Sequence, residues 1–340
     1  MGIRIKDIAE ASGVSPASVS LVLNNRPGVG ENTRKRILGI ARAMEYDSEK
    51  ALNLTRSKSE TIRFLRISRH GHVVNNDHAV FIANYIDGMG QAVRDLGLNL
   101  EIVTIEYGSL DSIIEAAQAS WIGGAVILGT ELSQQELKTF EAIKTPLVIM
   151  DNYDDFLGFN FVDMNNKESV HTAVTYLKNR GHRSIGLVTS DITTPNFLMR
   201  ANAFKESLAF HELEYRKEDI FHVDSTYDGA YADMLAALSL RQRHPTALFC
   251  VNDIMAFGTI KALKERGLRV PEDVSVIGFD NLPSSAISDP PLTSIDVSKM
   301  QIGRLAVRTL FENITSRLPM STVKILVSGE LIERSSVKSL

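Results

Sequence analysis

The sequence predicts a small all-α head followed by an α/β body of two doubly wound lobes. Three observations predict it. Residues 4–44 carry apolar side chains at helical spacing, broken by short turns. From Ile62 onward, short apolar runs alternate with amphipathic stretches of helical length, the pattern of parallel sheets flanked by helices. A chain of 340 residues, 44% hydrophobic and 23% charged, can build two or three cores and is too long for one ordinary domain.

Composition narrows the function classes. No apolar run approaches the roughly 18 residues needed to span a bilayer. Lys6, Asp7 and Glu10 interrupt the start, which therefore lacks a secretory pattern. The single cysteine, Cys250, excludes an internal disulfide framework and a multi-cysteine zinc site. A cytoplasmic protein without a metal, cofactor or membrane partner is expected. The net charge of −4 does not by itself point to nucleic acid. Its distribution is more informative: residues 1–61 hold ten Lys/Arg against seven Asp/Glu, a net of +3, which leaves −7 for the body. Such a head can present positive charge to phosphates while the body repels them.

The head reads as three helices. The first spans about 5–12, with Ile5, Ile8 and Ala9 on one face. Gly13 and Val14 make a tight turn, glycine supplying positive φ and valine plugging the gap between helices. Ser15 is the N-cap of the second helix and Pro16 its first residue. That helix runs to about Leu23 and turns Val19, Val22 and Leu23 inward. A third helix from about Glu31 carries Ile37, Ile40, Ala41 and Met44. Two helices joined by a short turn and braced by a third form a helix-turn-helix. Its second helix would enter a major groove with Pro16, Ala17, Ser20 and Leu21 nearest the bases. Ser15, Ser18, Asn24 and Arg34 are placed for phosphate contacts, which position without specifying. The same pattern would also serve a small bundle used for protein contact.

The stretch IKDIAEASGVSPASVSLVLNNRPGVGENTRKRILGIARAMEY resembles the N-terminal domain of the lactose/galactose repressor family, in order and in spacing. The resemblance gives Pro16, Ala17 and Leu21 the base-reading positions. Leu21 can meet a thymine methyl but cannot make a bidentate contact with guanine. The resemblance also makes residues 48–61 a hinge that inserts a leucine into the minor groove, unstacking a base step to gain a bent, wider contact. Here the chain departs from the family. A Pro-Asn pair followed by Ala-Arg-Ser-Leu is replaced by SEKALNLTRS, with Ser48 at the proline and Thr55 at the leucine. Either Leu54 is the wedge in a shifted register, or insertion is weaker.

In the body, strands are expected at 62–67, 100–105, 124–128, 147–150, 185–188, 247–251 and 274–278. Helices are expected around 79–96, 110–120, 133–142, 166–180, 197–211, 229–241, 253–266 and 299–317. Two doubly wound units fit, with crossovers near Val162 and Leu292. Ligands of such folds bind at the carboxyl ends of the strands, between the lobes. The phrases LKNRGHRSIGLV, RANAFKESL, PTALFCVNDIMAFGTIKALKERGLRVPEDVSVIGFDN, PPLTSID and ELIERSSV are similar to the same family, whose core shares the fold of periplasmic sugar-binding proteins. The domains expected are therefore 1–47 (head), 48–61 (hinge) and 62–340 (two-lobed core).

The resemblance places Arg200, Asn252 and Asp280 at the family's effector contacts. A guanidinium fork, an amide and a carboxylate together suit a polyhydroxylated ligand such as a sugar. Asp151, at a strand end, is a fourth expected contact. His78 and Phe81 open the first helix after the first strand and are expected to line the cleft. Tyr227 offers a ring for stacking. Other readings stand beside these. Arg200 could pair with Asp280 in an interlobe salt bridge, and Asp151 could be an unliganded strand-end carboxylate. Asp253 is read as the cap of the following helix. His70, His72 and His78 lack the carboxylate or thiolate shell of a metal site. The GMG at 88–90 lies inside a helical stretch and is no dinucleotide fingerprint. Cys250 is expected to be buried and inert.

Two functions compete. One is a repressor that binds palindromic operator DNA as a homodimer under control of a small ligand. A chain ending at SSVKSL, with no leucine heptad beyond, favours a dimer over a tetramer. The other is a sugar-binding protein or carbohydrate-acting enzyme with a helical appendage. Against the second stand the missing signal peptide, the lack of a nucleophile–base constellation, and the specificity of the head.

Overall fold

Helical spacing becomes helical structure throughout the head of the computed structural model, which describes residues 5–23, 26–44, 60–71, 76–192, 194–240, 243–316 and 320–340. Helices α1 (Ile5–Ser12), α2 (Pro16–Leu23) and α3 (Glu31–Ala43) enclose Ile8, Ala9, Val19, Val22, Leu23, Ile37 and Ala41, with Ile5, Val14, Ile40 and Met44 packed at the rim. Burial of each valine, leucine and isoleucine side chain stabilises this small core by about 1.5–3 kcal/mol. Gly13 takes φ +63°, the left-handed turn that a β-carbon would resist. Ser15 accepts the Ser18 amide at 3.1 Å and so caps α2. Asn24, Leu54 and the hinge up to residue 59 lie outside the described residues.

The body forms two six-stranded sheets. The first lobe contains β1 (Thr61–Ser68), α4 (Ala79–Asp95), β2 (Asn99–Glu106), α5 (Leu110–Ala117), β3 (Gly124–Leu128), α6 (Gln134–Thr139), β4 (Leu147–Met150) and β5 (Asn160–Met164). The second contains α7 (Asn166–Asn179), β6 (Ile185–Ser190), α8 (Pro195–Phe210), β7 (Ile220–Val223), α9 (Tyr227–Ser239), β8 (Ala247–Cys250), α10 (Asp253–Glu265), β9 (Ser275–Asp280) and β10 (Thr293–Asp296). The chain then returns through α11 (Lys299–Thr315) and β11 (Lys324–Val327) to the first lobe. It ends on β12 (Glu330–Ile332) in the second. Strand order is β11-β5-β4-β3-β1-β2 in the first sheet, all parallel, and β12-β10-β9-β8-β6-β7 in the second, where β12 alone runs antiparallel.

Helices on both sheet faces explain why the strands are continuously apolar instead of alternating with polar residues. In the first lobe the period of two still sorts residues between faces. Phe64, Val126 and Leu128 join the large core, while Leu65, Ala125 and Ile127 join a second one under α5. Strands β5, β7, β10, β11 and β12 fall outside the segments expected as strands. They are short, and Asp163, His222 and Ser294 break their apolar runs. The chain also passes between lobes a third time, between β11 and β12, because β11 pairs with β5 while β12 pairs with β10.

The GMG run lies within α4, where Gly88 serves packing. A β-carbon there would sit 2.1 Å from the Met300 carbonyl oxygen, so α4 and α11 approach too closely for any side chain. Among the described residues no helix is long and apolar enough to cross a membrane.

Candidate functional site

The strand ends of both lobes converge on one cleft. Asp151 follows β4 and Thr130 follows β3. Asn252 follows β8, Asp280 ends β9, Thr194 caps α8, and Asn196, Phe197 and Arg200 come from the first turns of α8. His78, Phe81 and Ile82, at the start of α4, close the first-lobe side. The lobes lie close together here, and the cleft holds about 40 Å³, room for about three water molecules.

Arg200 is 3% exposed, and each of the three nitrogens of its guanidinium has a partner. Nε donates to Asn166 Oδ1 at 2.8 Å, one terminal nitrogen donates to the Val251 carbonyl at 2.6 Å, and the other meets Met164 Sδ. The plane lies 3.8 Å from the centroid of the Phe279 ring. Asp280 Oδ1 stands 3.7 Å from the guanidinium, an ion pair beyond hydrogen-bond distance. This pairing is not the expected interlobe bridge, because both residues belong to the second lobe. The interlobe contact at this depth is made by Asn196, whose amide donates to Asp151 Oδ1 at 3.1 Å. Asp151 also accepts from Tyr85 Oη at 2.9 Å and from Thr130 Oγ1.

Burial dominates the electrostatics. It pushes the Asp280 carboxyl up to about 7 against the pull of Arg200, and it raises Asp151 as well. Asp163, just behind the cleft on β5, is pushed up to about 8 by burial and by the neighbouring Asp151. Burial lowers His78 to about 4 despite Asp77, Glu131 and Asp224 around it, so its imidazole is neutral at pH 7. Asp151 and Asp280 both adopt positive φ, +57° and +109°. Backbone held in such sparsely populated regions costs on the order of 1–3 kcal/mol per residue and clusters at binding sites.

Of the residues expected at the ligand, His78, Phe81, Asp151, Arg200, Asn252 and Asp280 line this cleft, and Tyr227 does not. Tyr227 starts α9 and lies instead in an outer groove with Phe257, Ile260 and Lys261. As the first residue of its helix it turns its ring toward α10, with Lys261 Nζ 5.4 Å from the centroid. The helix-cap expectation also needs correction. Asn252, not Asp253, caps α10, accepting the Met255 amide at 2.8 Å from an extended backbone. Asp253 points into the lobe and accepts from Ser285 Oγ, Ser294 Oγ and the Leu282 amide. The Cys250 thiol is buried and its pKa is raised.

Sequence reasoning missed Thr130, Thr194, Asn196 and Phe197. One signal was present: Thr194 and Pro195 form a cap followed by proline at the first helical position, which starts α8 at that point. Asn196 and Arg200 are then four residues apart on one helix face.

The head presents the second surface. Ser15, Pro16 and Ala17 are exposed, while Ser18, Ser20 and Leu21 are half-buried. Ser15 and Ser18 hydroxyls bond each other at 2.9 Å. Leu21 leans on the following loop, 3.6 Å from where a β-carbon on Gly28 would lie. Arg34 donates to the Arg26 carbonyl at 2.5 Å and so ties that loop to α3.

Comparison with known proteins agrees with this architecture. The family model described as bacterial regulatory proteins, lacI family, matches residues 4–49. That for a periplasmic binding protein-like domain matches 174–337. The HTH-type transcriptional repressor PurR of Mannheimia succiniciproducens is 32% identical over 99% of both chains. The PurR repressor of Aliivibrio salmonicida is 31% identical over 99% of both. Among solved structures, the lac repressor dimer bound to operator and the anti-inducer ONPF superposes with a TM-score of 0.74 at 22% identity, covering 99% of this chain and 100% of that one. The transcriptional regulator CelR in complex with cellobiose gives 0.72 at 22% identity, covering 98% and 99%.

Proposed function

The chain belongs to the lacI family of bacterial transcriptional repressors, and from that premise we propose that it is a cytoplasmic homodimer whose grip on a palindromic operator is set by a small polyhydroxylated ligand, a sugar or sugar derivative, in the interlobe cleft. The observation that carries this reading is the convergence of Asp151, Asn196, Arg200, Asn252 and Asp280 on one cleft of a body fused to a helix-turn-helix. Carboxylates and amides match the donors and acceptors of hydroxyl groups. Phe81 and Phe197 supply aromatic surface for the apolar face of a ring.

The mechanism follows from the size of the cleft. About 40 Å³ cannot hold a sugar, so binding reshapes the space between the lobes. Head and hinge lead into β1 of the first lobe. Movement of the first lobes in a dimer therefore changes the separation of the two hinges and the fit of two recognition helices to two half-sites. Ligand acts by its differential affinity for the two lobe arrangements.

The DNA half of the proposal is tested by selecting binders for the full chain from a random duplex pool, then by gel shift. The selected sites are expected to be pseudo-palindromes. A truncation starting at Thr61 is expected to lose binding at every concentration at which the full chain shifts. Equal shifts by both proteins would refute the assignment.

A further inference from the structure

We propose that Asp77 is the first-lobe half of a latch that holds the two lobes closed from outside the ligand cleft. It lies in the short 3₁₀ turn Asn76–His78 that leads into α4. Its carboxylate reaches across the lobe boundary and accepts the Tyr227 backbone amide at 2.9 Å. Tyr227 is the first residue of α9, and the Thr226 cap has already taken a different amide, that of Gly229. Asp77 therefore satisfies an N–H that the helix itself leaves without a partner. It also places a full negative charge at the positive end of a 13-residue helix.

The position is specific in three respects. The contact joins first-lobe residue 77 to second-lobe residue 227 and can exist only while the lobes are closed. Asp77 is absent from the cleft lining, unlike its neighbour His78, so its action on ligand is indirect. Finally, the same turn carries His78, which is hydrogen-bonded to the Ser225 backbone two residues before Tyr227. One turn of the first lobe thus engages two consecutive features of the loop entering α9. The inner contact, Asn196 to Asp151, closes the floor of the cleft, and Asp77 closes its rim. As a positioning residue, Asp77 sets how readily the cleft opens and leaves the choice of ligand to the residues that line it. The outer groove beside Tyr227 is therefore bounded by an element that reports lobe closure.

The inference rests on reading the cleft as the ligand site, but its test needs neither ligand nor DNA. A cysteine reporter is placed at Thr194, which lines the cleft and is 1% exposed. Its modification by 5,5′-dithiobis(2-nitrobenzoate) in the full-length chain reads the population of open lobes. Native Cys250, fully buried in β8, reads global unfolding in the same sample. In the Asp77→Ala background the reporter is expected to react roughly tenfold faster, the loss of one charge-assisted hydrogen bond, with Cys250 unchanged. Asp77→Asn, which keeps an acceptor oxygen without the charge, is expected to fall between. Equal reporter rates in Asp77→Ala and the parent would overturn the latch, and so would equal acceleration at Cys250. Faster reporter reaction in Asp77→Ala, in a full chain that binds no operator by gel shift, would uphold the latch and count against the functional reading alone.

Discussion

Arg200→Ala is expected to destabilise the protein by about 3–5 kcal/mol, measured as the urea midpoint at pH 7, because it strips one partner from a buried ion pair. Arg200 faces Asp280 at 3.7 Å and bonds Asn166, the Val251 carbonyl and Met164. Removing it leaves the Val251 carbonyl and the Asn166 amide oxygen without this donor, and leaves Asp280, about half ionised at pH 7, without its guanidinium partner. A loss below about 1 kcal/mol would mean that water or relaxation replaces these contacts readily. The stability cost matters for function. From sequence alone, Arg200 is a ligand contact whose removal should silence the ligand response while sparing DNA binding. In the fold it is also a structural tie within the second lobe. A silent Arg200→Ala variant therefore assigns no ligand contact by itself, and Asp280→Asn, which preserves shape at the same cleft, is the cleaner probe.

Asp163→Asn is expected to stabilise the protein relative to its effect near pH 4 by about 5 kcal/mol at pH 8, the linkage equivalent of a shift from about 4 to about 8. Asp163 is fully buried on β5, and neither carboxylate oxygen completes a hydrogen bond among the described residues, although the Met164 amide and the Asn196 side chain lie near enough to favour its ionised form slightly. Its carboxyl is pushed up to about 8, first by burial and then by Asp151, with Arg200 pulling the other way. The sign follows from linkage. A carboxyl raised in the fold favours the folded state fully below its unfolded value near 4. That contribution is lost as pH rises through about 8. The asparagine amide takes no part in that titration. Urea titrations of both proteins from pH 4 to pH 9 should therefore diverge progressively above pH 4. Parallel curves would show that Asp163 finds donors when ionised.

The head was legible because its contacts are local. Gly13, Val14, Ser15 and the inward faces of α1, α2 and α3 lie within 40 residues, where spacing and capping chemistry decide the structure. The doubly wound lobes were legible for a similar reason, since parallel strands buried on both faces read as apolar runs. Long-range pairing was not. No local signal tells β11 to join β5 or β12 to join β10, so the third passage between lobes went unread.

The cleft divides along the same line. Arg200, Asn252 and Asp280 lie in phrases that resemble the family, whereas Thr130 and Asn196 come from loops and a helix start whose direction depends on packing. Asn252 and Asp253 are both good caps. Only backbone geometry chooses, and the extended conformation falls on Asn252 (φ −152°, ψ 169°). Tyr227 failed as a stacking ring because a residue at the first position of α9 faces the neighbouring helix, a fact set by how α9 and α10 pack.

The central claim is that the cleft and the head share one conformational equilibrium. Its most direct test takes a ligand found by thermal shift against a panel of sugars and sugar phosphates, where binding to the native state raises Tm. Operator Kd is then measured with and without saturating ligand, and ligand Kd with and without operator. The account predicts that the two factors are equal and fall at roughly 5–150-fold, as linkage requires for coupling of about 1–3 kcal/mol. A ligand that binds the cleft while leaving operator affinity unchanged would contradict it.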